Sequence, residues 1–282
     1  MKLSHHVLEL DWQEVETRIK RFIKQYVENC GAMGIVLGVS GGIDSCTAAA
    51  LSALAIGGDK VQGLLLPEKE TYNKKDVEDA MRVAEEFRFK TEIIDMTPAL
   101  EAIQNTIPVF NPKDKLSKGN LKARLRMAYL YYYANRFNLI VCGSSDKSEV
   151  MIGYFTKWGD AAADIAPLMD LYKTQVRKLA KHIGIPEDIV NKPSSPSLWP
   201  GQMAEDEIGI KYEVLDLILY GLEHFMKPEE IAHQLGLEKE LVEKVRDRLR
   251  RMEHKRRMPT TTKIQYRTVG LDFRISYTPY PL

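Results

Sequence analysis

The stretch Ile35-Val36-Leu37-Gly38-Val39-Ser40-Gly41-Gly42-Ile43-Asp44-Ser45 decides the fold of this chain. Its apolar start predicts a strand, its glycines and serines predict a tight turn, and the apolar residues after Ser45 predict a helix. A helix start offers free backbone N–H groups and the positive end of the helix dipole, which together bind phosphate. Gly41 and Gly42 would let an anion approach the backbone. The hydroxyl groups of Ser40 and Ser45 would add donors.

Asp44 lies inside this turn, although a carboxylate repels phosphate. Its presence is explained if a divalent cation bridges the carboxylate and the phosphate oxygens. The turn differs from the P-loop G-x-x-x-x-G-K-[ST], because no lysine follows its glycines. Its S-G-G-x-D-S pattern resembles the pyrophosphate loop of the N-type ATP pyrophosphatases, which split ATP into AMP and pyrophosphate. The alternative is an ordinary glycine-rich turn between a strand and a helix.

The composition argues against several classes of protein. The 282 residues carry 40 basic and 39 acidic side chains, and this balance argues against a nucleic-acid-binding protein. No apolar run approaches the roughly 18 residues that span a bilayer, so no membrane partner is expected. The amino-terminal residues lack the apolar stretch of a signal peptide. Cys30, Cys46 and Cys142 lie beside or inside apolar segments, which predicts buried free thiols in a cytoplasmic protein.

Strands and helices alternate through the first half of the chain. Strands are predicted at 35–39, 61–66, 91–95 and 139–142, and helices at 11–30, 44–56, 75–88 and 119–137. This alternation predicts an α/β fold with a doubly wound, mostly parallel sheet, similar to the adenine-nucleotide alpha hydrolases. Ligands bind such sheets beyond the carboxyl ends of the strands, where the turns 38–45 and 143–149 both lie.

The second half begins with a long loop at 191–204, which contains three prolines and Trp199. Loops of this length inside a compact domain are often functional lids. Three helices are predicted after it, at 206–223, 228–235 and 238–256. We therefore expect one domain over 1–282, composed of an α/β core (1–190), a lid (191–204) and a helical carboxyl-terminal part (205–282).

A second polar turn follows the strand at 139–142. Gly143 ends the strand, Ser144 adds a hydroxyl group, and Glu149 adds a second carboxylate at the same edge of the sheet as Asp44. Asp44 and Glu149 together could hold a cation. Lys173 stands near the start of a helix, where the dipole disfavours a positive charge, so an anionic partner is expected for it.

Nearly the whole chain resembles the NAD synthetase family in its ammonia-dependent form. Besides the pyrophosphate loop, the matching segments are G-N-L-K-A-R-L-R-M at 119–127, G-Y-F-T-K-W-G-D at 153–160, D-I-A-P-L at 164–168, L-Y-K-T-Q at 171–175, P-S-S-P-S-L-W-P-G-Q at 193–202, D-E-I-G-I-K-Y at 206–212 and H-K-R at 254–256. Two positions depart from the family pattern. Ser144 stands where threonine is usual, and Ala161-Ala162 replaces a pair that usually contains glycine.

The resemblance implies a two-step reaction. The nicotinate carboxylate of deamido-NAD would attack the α-phosphorus of ATP and release pyrophosphate, and ammonia would then convert the acyl-adenylate into NAD and AMP. The resemblance also implies Mg²⁺ as cofactor and a homodimer to which the amino-terminal helix and the tyrosine-rich region 129–133 contribute. Glutamine-using members carry an additional amidase domain, for which the segment before residue 38 leaves no room, so free ammonia or ammonia from another protein is expected.

The resemblance also implies roles for individual residues. The residues expected to bind ATP are Gly38, Val39, Ser40, Gly41, Gly42, Ile43, Asp44, Ser45, Ser144, Lys173 and Ser195. Those expected to bind deamido-NAD are Arg124, Lys157, Asp164, His254 and Lys255. Asp44 and Glu149 would bind the metal, and Asp44, Lys173 and Asp164 would be catalytic. Without the motifs, Arg124, Glu149 and Lys157 would each be an ordinary surface side chain.

One other class of protein fits part of the chain. Residues 228–236 followed by a helix with many lysines and arginines resemble a helix-turn-helix, so a tRNA-modifying enzyme with the same ATP loop is the alternative. Acidic residues alternate with the basic ones in that helix, which is typical of a solvated, salt-bridged helix. The chain also lacks Cys-x-x-Cys pairs.

Overall fold

Four parallel strands form the sheet of the computed structural model, which describes residues 2–273. They are β1 (Gly34–Gly38), β2 (Val61–Leu65), β3 (Lys90–Ile93) and β4 (Leu139–Val141), in the spatial order β3-β2-β1-β4. All three neighbouring pairs are parallel. The predicted α/β fold is confirmed, and each predicted strand is present within two residues of its expected bounds. Because β1 lies between β2 and β4, the connections from β1 to β2 and from β3 to β4 run to opposite sides of β1. Ligands of such sheets bind beyond the carboxyl end of the strand at this position.

Thirteen α-helices occur in the described part of the chain. They are α1 (Trp12–Asn29), α2 (Ile43–Ile56), α3 (Lys74–Glu86), α4 (Thr97–Thr106), α5 (Lys115–Phe137), α6 (Lys147–Ile152), α7 (Lys173–His182), α8 (Glu187–Val190), α9 (Ala204–Ile208), α10 (Tyr212–Glu223), α11 (Pro228–Leu235), α12 (Lys239–Arg251) and α13 (Glu253–Arg256). Two short 3₁₀ turns, His5–Leu8 and Gly58–Lys60, complete the regular structure. In this part of the chain, none of the helices is long and apolar enough to cross a membrane.

Both faces of the sheet are covered by helices, because successive residues of a strand point to opposite sides. Ile35 and Leu37 of β1 pack with α1, α2, α3 and α7 in the larger core cluster. Val36, between them, faces the other way and packs with buried residues such as Met96 and Ala134 of α5. This arrangement leaves the carboxyl edge of β1 and β4 for polar groups.

A second hydrophobic core lies in the carboxyl-terminal helices. Buried residues of α6, α10, α11 and α12 form it, including Ile152, Ile218 and Val242. The prediction of a single helix at 206–223 is wrong. Gly209 adopts a left-handed φ of +79° and ends α9 before α10 begins. The helix expected at 238–256 likewise breaks at Met252 into α12 and α13. The last residues of the expected part 205–282 lie outside the described residues.

The cysteines correct one further expectation. Cys46 and Cys142 are buried, and burial raises the pKa of each thiol to about 12, so both are unreactive. Cys30 is exposed, contrary to the prediction. It follows the last residue of α1, and Gly31 with a φ of +64° turns the chain at the surface there.

Candidate active site

The turn between β1 and α2 is shaped by its own hydroxyl groups. Ser45 Oγ accepts from the Ser40 backbone at 3.0 Å and donates to the Gly42 carbonyl at 3.1 Å. Gly41 has a φ of +76°, and a Cβ atom there would lie 2.1 Å from the Asp76 carbonyl oxygen. Only glycine therefore fits at this position. The loop presents the amino-terminal end of α2, a 14-residue helix, at the carboxyl edge of the sheet.

Lys173 lies at the centre of three carboxylates. Its Nζ atom is 2.6 Å from Asp44 Oδ2, 2.7 Å from Asp146 Oδ2 and 2.9 Å from Glu149 Oε1. Asp44 belongs to the first turn of α2, Asp146 caps α6, Glu149 lies within α6, and Lys173 begins α7. The expected anionic partner of this lysine is therefore a group of acidic side chains. Lys173 and Asp146 are fully buried.

The electrostatics of this cluster favour a charged lysine. Burial alone would lower the pKa of Lys173, but Asp146, Asp44 and Glu149 raise it well above its ordinary value. Burial and the charge of Asp146 raise the pKa of Glu149 to about 8. Burial likewise raises the pKa of Asp146. The three acids therefore favour the ammonium form of Lys173, and burial beside other acids favours the protonated form of Glu149.

The three carboxylates also suit a divalent cation. One oxygen from each of Asp44, Asp146 and Glu149 lies within 4.8 Å of the others. Asp44 Oδ1 is buried and has no hydrogen-bond partner among residues 2–273. Such an oxygen needs a cation or a donor, and Mg²⁺ prefers oxygen ligands of this kind. The donor set therefore fits the magnesium expected from the sequence.

The sequence reading did not identify Asp146. The residue accepts the Glu149 N–H at 2.8 Å as the cap of α6, and its other oxygen faces Lys173. Its position just after β4 and three residues before Glu149 was the available signal, since Asp is a preferred N-cap residue.

Hydrogen bonds with residues of α6 and α10 fix the position of Lys173. Its backbone N–H donates to Ser148 Oγ at 2.9 Å, and Ser148 donates to Asp216 Oδ1 at 2.5 Å. Asp216 also accepts the Thr174 N–H at 2.9 Å. The Tyr212 hydroxyl group donates to Glu149 at 3.3 Å, and its ring centroid lies 5.2 Å from Lys173 Nζ. The carboxyl-terminal helices therefore fix both the lysine and one acid of the cluster.

Most of the residues expected to bind deamido-NAD lie together. Arg124 donates to the Lys157 carbonyl at 3.3 Å, and Lys157 Nζ donates to the His254 carbonyl at 2.7 Å. Lys255 donates to the carbonyls of Gly153 and Phe155 at 2.8 and 2.6 Å. The short helix α13 is thereby joined to the segment after α6.

Asp164 and Ser144 lie nearer to the strand ends. The Asp164 carboxylate accepts the Val141 N–H at 2.8 Å and the Tyr131 hydroxyl at 3.3 Å, which ties it to the end of β4. Ser144 is half-buried between β4 and α6. The structure thus places Asp164 beside β4 and gives it contacts that stabilise the strand.

Hydrogen bonds within the segment 191–204, which is predicted to be a lid, join its two ends. Ala204 N–H donates to the Ser194 carbonyl at 2.9 Å, and Ser195 Oγ donates to the Gln202 carbonyl at 2.6 Å. Lys192, at the start of the segment, donates to the Gly41 carbonyl at 3.2 Å and to Asp79 at 2.9 Å. The beginning of the lid is therefore attached directly to the phosphate loop.

The basic helix α12 has mainly structural contacts. Val242 and Val245 are buried in the carboxyl-terminal core, and Arg248 donates to the Ile152 carbonyl at 3.1 Å. Lys239 lies 2.7 Å from Glu229 of α11, which fits the salt-bridged character that the alternating charges predict. These contacts argue against the hypothesis that α11 and α12 form a DNA- or RNA-binding helix-turn-helix.

Comparisons with known proteins agree with this site. The sequence profile of NAD synthase matches residues 15–259. The NH(3)-dependent NAD(+) synthetase of Hyperthermus butylicus is 47% identical over 256 residues, which cover 90% of this chain and 92% of that protein. The NMN synthetase of Francisella tularensis has a similar structure, with a TM-score of 0.80 and 34% identity over 91% of this chain and all of the other.

A second solved structure gives the same result. The NH3-dependent NAD synthetase of Campylobacter jejuni, in complex with the nitrate ion, superimposes with a TM-score of 0.77 and 30% identity, covering 90% of this chain and 100% of that chain. The family profile spans the phosphate loop, the three carboxylates, Lys173, the lid and α12. This chain is a member of the NAD synthase family.

Proposed function

We propose that the chain is an ammonia-dependent NAD synthetase, a ligase that uses ATP to amidate deamido-NAD. The nicotinate carboxylate attacks the α-phosphorus of ATP, and the bond to pyrophosphate breaks. Ammonia then attacks the activated carbonyl carbon, the bond to AMP breaks, and NAD is released. The tRNA-modifying alternative is not favoured, because the relatives named above are synthetases of NAD or NMN.

One observation carries this proposal. A fully buried lysine and three carboxylates meet beside a glycine-rich loop at the start of α2, so cationic and metal-binding groups adjoin a phosphate-binding turn. Both substrates are polyanions, and their approach needs positive charge. We propose that Lys173 supplies part of it to the pyrophosphate. Residues 38–45, Ser144 and Ser195 complete the proposed ATP site.

We propose Mg²⁺ as the cofactor, held by Asp44 and Glu149 with Asp146 beside them. The unpaired Asp44 oxygen supports this assignment. When bound, the ion would offset the negative charge of the phosphates. Glu149 would have to lose its proton to bind the ion, which its neighbours Lys173 and Tyr212 can support by hydrogen bonds.

Arg124, Lys157, Asp164, His254 and Lys255 form the proposed deamido-NAD site. Four of them lie in one chain of contacts between α5, the segment after α6 and α13, which supports a shared role. The lid segment is proposed to exclude water, since water would hydrolyse the acyl-adenylate. We expect it to be more mobile without substrates than with both bound.

A coupled assay tests the function. Purified protein with ATP, Mg²⁺ and deamido-NAD should form NAD with ammonia and only traces of NAD with glutamine, as measured by chromatography. Lys173→Met should lose activity roughly 100-fold or more, because the ammonium group would be absent. Lys178→Met is the matched control on the same helix, where the lysine pairs with Glu9 at the surface and should be dispensable.

The same assay tests whether the acceptor substrate is the dinucleotide deamido-NAD or a mononucleotide. Deamido-NAD is proposed because the 47% identical relative is named for NAD, whereas the structure named for NMN is 34% identical. The ratio kcat/KM should therefore be higher for deamido-NAD than for nicotinate mononucleotide. The reverse ratio would make the chain an NMN synthetase, and failure with both acceptors would overturn the proposed function.

Three broader features remain proposals. We propose a homodimer and a cytoplasmic location, and we propose that residues 1–282 act as one catalytic domain with the core, lid and helical parts described above. The exposed Phe22 of α1 and Tyr132 of α5 support the dimer, because each presents a large apolar surface on a helix expected at the interface.

A further inference from the structure

A buried lysine outside the acidic cluster joins the lid to the core. Lys122, on α5, has no exposed surface. Its Nζ atom donates to Glu68 Oε1 at 2.6 Å, to Glu70 Oε2 at 2.8 Å and to the carbonyl oxygen of Leu198 at 2.9 Å. An ammonium group has three hydrogens, so all its donors are used. Leu198 lies in the middle of the lid segment 191–204.

The carboxylates of Glu68 and Glu70 hold the ammonium group of Lys122 in one position. Glu68 is buried and also accepts from the backbone N–H groups of Glu70 and Thr71. Its pKa is lowered, because hydrogen bonds from Lys122 and Thr71 outweigh the effect of burial. Glu68 is therefore charged, and a buried ion pair of this kind holds both partners in place. The lid is hydrogen-bonded to this rigid group through a single backbone carbonyl.

About one turn before Lys122, the lid packs against the backbone of α5 at Gly119, which has no side chain. A Cβ atom at Gly119 would lie 3.0 Å from Leu198 Cβ and 3.2 Å from the ring of Trp199. The tip of the lid therefore packs directly against the helix backbone at Gly119. Lys122 and Gly119 together contact the lid at Leu198 and Trp199, separately from its attachment at Lys192.

We propose that Lys122 is a positioning residue that holds the lid against α5 during the reaction. Its catalytic consequence rests on the proposed function. With the lid loose, water would attack the carbonyl carbon of the acyl-adenylate, and the bond to AMP would break. Deamido-NAD and AMP would then form without NAD. Lys122 touches neither reacting group in this proposal and acts only through Leu198.

Three variants separate this role from a general structural one. Lys122→Met removes the hydrogen bond to the lid and leaves Glu68 and Glu70 short of a partner. Gly119→Ala leaves the ion pairs intact and pushes the lid tip away from the helix. Lys118→Met is the matched control, because Lys118 also pairs with Glu70 at 2.7 Å from the same helix and lies outside the lid contact.

Hydrogen exchange and product ratio are measured on the full chain. Without substrates, amides at 197–202 should exchange about ten-fold faster in K122M, as expected when one hydrogen bond from a charged donor is lost. They should also exchange faster in G119A, because the added methyl group displaces the lid tip. K118M should exchange like the wild type. With both substrates and ammonia, the AMP:NAD ratio should rise above one in the first two variants only.

The outcomes are decisive in either direction. Unchanged exchange in G119A and K122M, or an equal increase in K118M, overturns the positioning role. Faster exchange with an AMP:NAD ratio of one overturns the link to catalysis. If K122M does not fold by circular dichroism, G119A decides the question alone. Exchange needs no substrate, so failure of the proposed function would leave that result interpretable.

Discussion

The ammonium group of Lys173 lies 2.6 Å from the carboxylate of Asp44, although the two residues are 129 positions apart in the chain. Asp44 is in the first turn of α2, and Lys173 is the first residue of α7. The contact therefore brings the phosphate loop and the start of α7 into one site. Removing either charge should affect the other residue as well as the substrate.

We expect Asp44→Asn and Glu149→Gln each to lower turnover by roughly 100-fold or more, because each removes a charged ligand from the proposed metal site. Each side chain keeps its size, so circular dichroism should be unchanged. Steady-state assays at saturating Mg²⁺ measure the effect. Asp170→Asn serves as control, since its side chain is fully exposed. Near-normal turnover in either variant would remove that residue from the metal site.

Asp146 has two functions that two substitutions should separate. Asp146→Asn should keep the cap of α6 but remove a charge facing Lys173, whereas Asp146→Ala removes both. We expect the Asn variant to lose activity with little loss of stability. The Ala variant should lose about a further 1 kcal/mol of unfolding free energy. Urea denaturation and the NAD assay give the two values, and equal stability losses would argue against the cap.

The strand positions and the pyrophosphate loop could be predicted from local patterns, because each strand and the turn after it are contiguous in the chain. Asp44, Glu149 and Lys173 could be named for the same reason, since each lies in a recognisable motif. Asp146 was missed because an acidic cap is common at helices and only the folded chain brings it to Lys173. The helices α4, α6 and α8 were also missed.

Long-range anchoring could not be predicted from the sequence. Lys122 has an ordinary place in a helical pattern, and its burial depends on Glu68, 54 positions away. The break between α9 and α10 depends on one glycine, Gly209, inside an otherwise helical pattern. Both features require knowledge of which segments meet, which periodicity does not contain.

Asp216 should make stability depend on pH. Burial raises the pKa of its carboxyl group from 3.8 to about 6, although Ser148 and Thr174 hydrogen-bond to the charged form. Between pH 3.8 and 6 the Asp216 carboxyl group is protonated in the folded chain but ionised in the unfolded chain. The contribution of this proton to the free energy of unfolding is therefore complete below pH 3.8 and is lost as pH rises through 6. In Asp216→Asn this loss should vanish. The variant should gain roughly 2 kcal/mol relative to the wild type between pH 4 and 7.

Urea denaturation at steps of pH measures that difference. Both proteins are measured at the same salt concentration. The Asn side chain can still accept the Thr174 N–H, so the variant should keep this local contact. Parallel curves for the two proteins across this range would show that Asp216 does not titrate there.

The proposed homodimer should be visible by sedimentation. At micromolar concentrations the main species should have twice the chain mass of 32.2 kDa. Tyr132 is 68% exposed on α5, so Tyr132→Glu should place a charge at the expected interface and shift the equilibrium to monomers. Lys181→Glu, at an exposed position of α7, is the control. A fully active wild-type monomer would contradict the dimer.

Deleting residues 197–202 should separate activation from amidation. The ends of the lid are already paired, with Ala204 N–H donating to the Ser194 carbonyl at 2.9 Å, so a shorter connection need not strain the core. The phosphate loop, the carboxylates and Lys173 remain, and ATP binding should persist. The acyl-adenylate would lose its cover, and water would compete with ammonia for the carbonyl carbon. Chromatography should show more AMP than NAD, whereas one AMP per NAD would mean that the lid does not protect the intermediate.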